Sequence, residues 1–277
     1  MKRLLQIELY KVKHHKLSKV LFISYFVLLT GISLIAAIKF KLGNIEVHLA
    51  EQGIFNFPYI WHFNTWVADF LTFFLAIIVV SMVTNEYSYR TLKQNLIDGL
   101  TKKEFVLSKF VFLIVLSLTA TVFVFVMSLI LGLRYSDYTS LGIIFSETYF
   151  LPAFFLKLLG IFTLIMFLGF AFKRSAYALG FFFIWLIAEG IIYGLLRWEF
   201  FDKETARKLM SFFPYQAAKN ILPEPVSRLS AAKNIGKQIG ENFDTFTGIP
   251  IENFIILIIW IATLVYFSYF ILKKRDL

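Results

Sequence analysis

Two ionisable side chains lie inside long apolar stretches of the sequence, where charged groups are rare. Lys157 precedes the basic turn Lys173-Arg174 by 16 residues, and Glu189 follows that turn by 15 residues. At 1.5 Å per helical residue, both side chains are expected about 22–24 Å from the turn and therefore at nearly the same depth. Three roles are open: an interhelical ion pair, separate contacts with headgroups and with water or polar backbone, or direct contact with a substrate.

The sequence carries no recognisable catalytic or nucleotide-binding motif. It has no cysteine and four histidines, none of which falls in a predicted membrane span. The H-E-x-x-H pattern of zinc proteases is absent, and so is the G-x-x-x-x-G-K-[ST] loop that cradles nucleotide phosphates. We therefore expect a non-enzymatic chain that holds no cofactor or metal of its own.

Six apolar segments predict a polytopic membrane protein. The chain is 58% hydrophobic and contains 34 phenylalanines. A helix needs about 20 apolar residues to cross ~30 Å of hydrocarbon, and its backbone hydrogen bonds are satisfied internally. The alternating segments typical of a barrel are absent. The expected fold is one all-α membrane domain over residues 1–277, with spans at 20–38, 65–84, 110–133, 149–172, 175–196 and 253–272.

The distribution of positive charge predicts the orientation of these spans. Six spans put both termini on one side, together with the 85–109 connection and the Lys173-Arg174 turn. That side carries 16 Lys and Arg residues and five acids, whereas the other side, including the long loop 197–252, has mixed charge. The positive-inside rule then places both termini in the cytoplasm. Anionic headgroups explain the net charge of +10, so nucleic acid is not an expected partner.

Two features flank the spans. Leu4, Leu5, Ile7, Leu9 and Val12 alternate with basic residues, which predicts an N-terminal amphipathic helix on the cytoplasmic membrane surface. A charged flank that only orients the first span is the alternative. The aromatic residues Tyr59, Trp61, Phe63 and Trp66 predict an interfacial belt before the second span.

The connection between the second and third spans, residues 85–109, has the pattern of two short amphipathic helices. Leu92 and Leu96 give the first helix an apolar side, and Gly99 is placed to end it. Thr101 and Glu104 form a capping-box pattern that starts the second. A capped helix–turn–helix favours a docking surface for a cytoplasmic partner over a solvated loop that only fixes topology.

This connection resembles the corresponding segment in permeases of type-2 ATP-binding-cassette (ABC) exporters. In that family an acidic residue lies at the end of the second span, and Thr-Leu follows five positions later. A turn, a basic or polar pair, Glu and a Lys at the start of the third span come next. The matching residues are Glu86, Thr91, Leu92, Gly99, Lys102, Lys103, Glu104 and Lys109. Arg90 departs from the pattern, because the family commonly has glycine there. The basic fourth-to-fifth turn, the external Phe212-Phe213-Pro214-Tyr215 stretch and the basic tail extend the resemblance over the whole chain.

The resemblance implies a bacterial inner-membrane exporter in which two permease chains, identical or related, form the pathway. A separate cytoplasmic ATPase would bind ATP and Mg²⁺ and dock on residues 85–109, which we call the coupling segment. Its candidate contacts are Glu86, Arg90, Thr91, Leu92, Leu96, Gly99, Lys102, Lys103, Glu104 and Lys109. Two other classes fit the composition: a membrane scaffold or assembly factor, and an ion-coupled carrier, which the shortage of charges within the spans disfavours.

Overall fold

The structure is a computed structural model that describes residues 2–38, 40–42, 45–47, 53–228 and 248–275. Its helices are α1 (Lys2–His14), α2 (Lys16–Ala37), α3 (Tyr59–Phe70), α4 (Thr72–Ser88), α5 (Thr91–Ile97), α6 (Lys102–Tyr135), α7 (Leu141–Ile144), α8 (Phe150–Phe172), α9 (Ser175–Leu195), α10 (Lys203–Met210), α11 (Pro214–Asn220) and α12 (Ile251–Lys273). A two-stranded antiparallel hairpin, β1 (Phe40–Leu42) with β2 (Ile45–Val47), is the exception to the predicted all-α fold.

In the described part of the chain, five helices are each long and apolar enough to cross a membrane: α2, α6, α8, α9 with its π-helical extension Leu196–Phe200, and α12. The bent pair α3–α4 passes the same test when it is counted as one span. The prediction of a multi-pass helical membrane protein is therefore confirmed. Residues 229–247 of the predicted external loop lie outside the described residues, and so do Asp276 and Leu277.

The second span is not the single helix predicted over residues 65–84. It consists of α3 and α4, which meet at Leu71 with a bend of 50°. The N–H of Leu71 bonds to the carbonyl of Ala68, three residues back, so the regular i−4 ladder is interrupted there. The helix also begins earlier than predicted, because Tyr59 to Asn64 are helical.

Helix α8 lies at the centre of the bundle and contacts α3, α4, α6, α9, α11 and α12. Most of its side chains are buried, unlike those of the peripheral helices α2 and α9. Two glycines bring the neighbouring helices close. A Cβ on Gly160 would lie 2.7 Å from Leu257 of α12, and one on Gly169 would lie 3.1 Å from Val83 of α4. A larger side chain at either position would have to displace Leu257 or Val83.

The side of the bundle opposite the coupling segment is assembled around α3 and the short helices α7 and α11. Trp61 is fully buried, stacks on Phe125 and donates from Nε1 to the carbonyl of Ile144 at 2.6 Å. The predicted aromatic belt is therefore wrong for Trp61, because its ring packs inside the protein. Arg228 forms a bidentate ion pair with Glu147, at 2.9 and 2.6 Å, and joins the segment after α11 to the start of α8.

Candidate functional site

A charge cluster made of Glu8, Lys11, Glu86 and Lys109 joins the elements that surround the coupling segment. Lys109 Nζ lies 2.7 Å from Glu8 Oε2 and also binds Glu86 Oε1. Lys11 Nζ lies 2.7 Å from the same Glu86 oxygen. The cluster therefore links α1, α4 and α6, and its two acids balance its two lysines. Neither carboxylate lacks a cationic partner, which offsets the cost of burying it.

Glu86 also connects the cluster to α5. Its second oxygen, Oε2, accepts a hydrogen bond from Thr91 Oγ1 and lies 3.5 Å from the amide nitrogen of Asn95. The carboxylate of Glu86 thus receives charge-assisted bonds from α1 and α6 and a hydroxyl bond from α5. These contacts fix the first half of the coupling segment relative to the end of α4.

Three candidate contact residues of the coupling segment are buried. Glu86 is 3% exposed, Lys109 is fully buried and Leu92 is 2% exposed. The contacts of these side chains lie within the chain and position the segment. That they also contact a partner stays a prediction.

The predicted helix cap at Thr101 and the predicted helix end at Gly99 are both present in the coupling segment. Thr101 accepts from the Glu104 N–H at 3.2 Å, and Glu104 accepts from the Thr101 N–H at 3.0 Å, which completes the capping box. Gly99 has φ +95° after α5, with its N–H bonded to Leu96 and the next N–H bonded to Asn95. This is a Schellman ending, which favours glycine because its φ is positive.

Two features of the coupling segment differ from the prediction. The helix that starts after Thr101 is not short, because it continues without interruption to Tyr135 and forms the third span. Arg90, where the resemblance favours glycine, adopts φ +56° in the left-handed region. The position therefore keeps the backbone conformation that suits glycine, although the residue is arginine.

The second half of the segment is tied to the end of the chain. Lys102 Nζ donates to the carbonyls of Lys273 and Arg275, at 3.3 and 2.9 Å. Arg275 in turn donates to the carbonyls of Phe170 and Ala171 at the end of α8. We call Lys102 and Arg275 the tail clasp. It satisfies carbonyl groups that have no partner within their own helices.

The surface left open by these contacts mixes polar side chains with two large exposed ones, Tyr89 at 70% and Ile97 at 69%. Arg90, Lys93, Gly99, Lys103 and Glu104 are exposed, and Thr91, Leu96 and Lys102 are partly exposed. Sequence reasoning did not single out Lys93, whose place on the outer side of α5 follows from the burial of Leu92 and the partial burial of Leu96.

The profile of a family described as ABC-2 family transporter protein matches residues 14–277. This chain belongs to the ABC-2 transporter family. The match begins near the end of α1 and covers every span, so the resemblance in the coupling segment is confirmed at the level of the family. No curated protein matches the sequence.

The intramembrane charges of this ABC-2 transporter do not pair with each other. Lys157 Nζ lies 2.7 Å from Asp69 Oδ2, at the bend between α3 and α4. Glu189 accepts from the backbone N–H groups of Tyr215 and Gln216, at 3.2 and 2.9 Å, and from Trp185 Nε1 at 2.6 Å. The ion-pair alternative for Lys157 and Glu189 is therefore wrong, because Glu189 faces the first turn of α11.

Proposed function

We propose that this chain is the membrane permease subunit of an ATP-driven ABC exporter in the bacterial inner membrane. A separate cytoplasmic ATPase, which carries ATP and Mg²⁺, docks on the exposed part of the coupling segment. The chain itself contributes the pathway and no catalytic group. Family membership supports the permease role, and the rest of the proposal rests on the construction of the coupling segment.

The observation that carries the proposal is the continuity of α6 from the coupling segment through the membrane. This helix has 34 residues, so it is about 51 Å long, whereas the hydrocarbon core is ~30 Å thick. Its first turn is capped by Thr101 and held by the tail clasp, and Lys109 fixes it to α1 and α4. A push on this end would therefore move a rigid rod that reaches the other side of the membrane.

A second permease chain fits the face of α9. This helix is the least buried of the five candidate spans. It contains the sequence Gly190-Ile-Ile-Tyr-Gly194, and a Cβ on Gly190 would meet nothing within 4 Å. A G-x-x-x-G pattern in an apolar helix lets two helix backbones approach closely. We place the permease–permease contact on this face.

Site-specific crosslinking tests the coupling proposal, because the chain has no cysteine of its own. We expect Lys93→Cys and Leu96→Cys to crosslink to the ATPase that co-purifies with the permease. Lys208→Cys on the external helix α10 is the matched control and should give no such product. An assembled complex in which neither coupling position crosslinks would contradict the proposed docking surface.

The dimer contact has its own test. Gly190→Leu places a large side chain on the open face of α9 and should shift the permease toward single chains in native mass spectrometry. Gly31→Leu is a matched control, because this glycine of α2 also has nothing within 4 Å of its Cβ position. A functional complex that contains one permease chain would refute the dimer.

A further inference from the structure

An open groove of about 460 Å³ runs between α6 and α12. Helix α6 lines it with Lys103, Val106, Leu107 and Phe110, which recur at helical spacing along one face. Helix α12 lines the opposite wall with Ile258, Ile261, Ala262, Val265, Tyr266 and Tyr269. Apart from Lys103 and the two tyrosine hydroxyls, the lining side chains are wholly apolar. The volume lies within the range of ordinary ligand pockets.

The groove has the length of one membrane leaflet. Ile258 and Tyr269 are separated by eleven helical residues, or about 16 Å along α12. Half of the ~30 Å hydrocarbon core is about 15 Å. A single extended acyl chain therefore matches the groove from its deep end, at Ile258, to the membrane surface.

One end of the groove is strongly basic. The start of α6 and the end of α12 meet there, as the bonds from Lys102 to the carbonyls of Lys273 and Arg275 show. Lys103 is exposed at this end, and no carboxylate in the described part of the chain forms an ion pair with it. The adjacent Lys274 is also exposed. An exposed ammonium group at the mouth of an apolar groove complements an anionic headgroup.

We propose that this groove binds an anionic phospholipid, with one acyl chain between α6 and α12 and its phosphate held by Lys103. The apolar walls account for the acyl chain, and the exposed ammonium group of Lys103 accounts for the charge. Lys103 is then a lipid ligand within the coupling segment, so the lipid lies where α6 begins. The proposal needs no ATPase and goes beyond the transport role.

Lipid retention in native mass spectrometry tests this proposal directly. The purified permease, with whatever partners it retains, is equilibrated with vesicles of equal phosphatidylglycerol and phosphatidylcholine content. We expect bound phosphatidylglycerol to exceed bound phosphatidylcholine, and Lys103→Gln to reduce that preference about fivefold, which corresponds to ~1 kcal/mol for one lysine near a membrane surface. Lys208→Gln is the matched control, because it removes one positive charge on α10 and should preserve the preference.

A second variant tests the apolar walls of the groove separately from the charge of Lys103. Ala262→Phe fills the apolar wall and should reduce retention of both lipids. Val122→Phe, on an exposed part of α6 outside the groove, should leave retention unchanged. Equal retention of the two lipids by the native chain would overturn the proposal, and so would a preference that survives both Lys103→Gln and Ala262→Phe.

A protein occupant would also overturn the proposal. Crosslinking of Ala262→Cys to a second permease chain would show that the groove is a protein contact. Because the readout is lipid retention, failure here would leave the Lys93 crosslink to the ATPase intact, and the two proposals can fail separately.

Discussion

Lys157 Nζ lies 2.7 Å from Asp69 Oδ2, directly at the bend that divides the second span. Lys157 is 5% exposed, whereas the side chain of Asp69 is 25% exposed. The pair connects the central helix α8 to the end of α3. It gives the broken span a fixed point in the middle of the bundle, where an unpaired charge would be costly.

The Lys157–Asp69 pair should show strong coupling in a double-mutant cycle. Lys157→Met alone should destabilise the protein by less than the ~3–5 kcal/mol typical of breaking a fully buried pair, because Asp69 is partly exposed. Lys157→Met with Asp69→Leu should recover part of the loss. Thermal unfolding in a fixed detergent measures all four variants of the cycle.

The cycle has an internal control in Glu189. Lys157→Met combined with Glu189→Leu should show additive losses, because these side chains have different partners. Coupling between Lys157 and Glu189 that exceeded the coupling between Lys157 and Asp69 would contradict the observed pairing.

Glu189 should hold α11 in place from a neighbouring helix. Its carboxylate accepts two backbone N–H groups at the start of α11, where Phe213 supplies no side-chain cap. Glu189→Leu leaves both donors unpaired, which typically costs ~1–3 kcal/mol for a buried donor. Glu189→Gln keeps a carbonyl acceptor and should have the smaller effect.

The measurement is the labelling rate of Ala218→Cys, a position on α11 that is 1% exposed. Glu189→Leu should speed its reaction with a water-soluble maleimide, because α11 then separates from the bundle more often. Glu204→Leu on exposed α10 should leave the rate unchanged. A rate that does not respond to Glu189→Leu would show that α11 is held by other contacts.

Arg90→Gly should stabilise the protein slightly. A non-glycine residue in the left-handed region costs about 1–2 kcal/mol, and Arg90 has φ +56°. Glycine also stabilises the unfolded chain entropically by ~0.4–1 kcal/mol, so the net gain should lie between about 0 and about 1.6 kcal/mol. Arg90→Ala keeps the Cβ and should bring no such gain. A lower unfolding temperature for Arg90→Gly than for Arg90→Ala would contradict this account.

The tail clasp should contribute to stability through Arg275. This side chain donates to the carbonyls of Phe170 and Ala171, which end α8. Arg275→Gln should lower the free energy of unfolding by about 1 kcal/mol, since charged hydrogen bonds contribute ~1.5–3 kcal/mol and Arg275 is only half-buried. Lys274→Gln is the control, because Lys274 lies over the Phe270 ring and makes no described bond to α8. Equal effects of the two changes would argue against the clasp.

Several elements were predictable because their signals are local. The apolar runs that became α2, α8, α9 and α12 are long enough to identify without knowledge of their neighbours. Thr101 with Glu104, and Gly99, set helix ends through contacts within a few residues. The break at Leu71 had no such signal, since α3 and α4 contain neither proline nor glycine.

The apolar runs and the helix caps were enough to identify the class of protein, the approximate spans and the capped ends of the coupling segment. Which charges meet depends instead on long-range packing. Lys157 and Glu189 have nearly equal expected depths, but their partners depend on how each helix is rotated and on which distant segment packs beside it. Long-range packing also explains Glu86 and Lys109. Sequence spacing placed both residues on the coupling segment. They are buried because α1 packs against α6, and Glu8 and Lys11 of α1 complete the charge cluster.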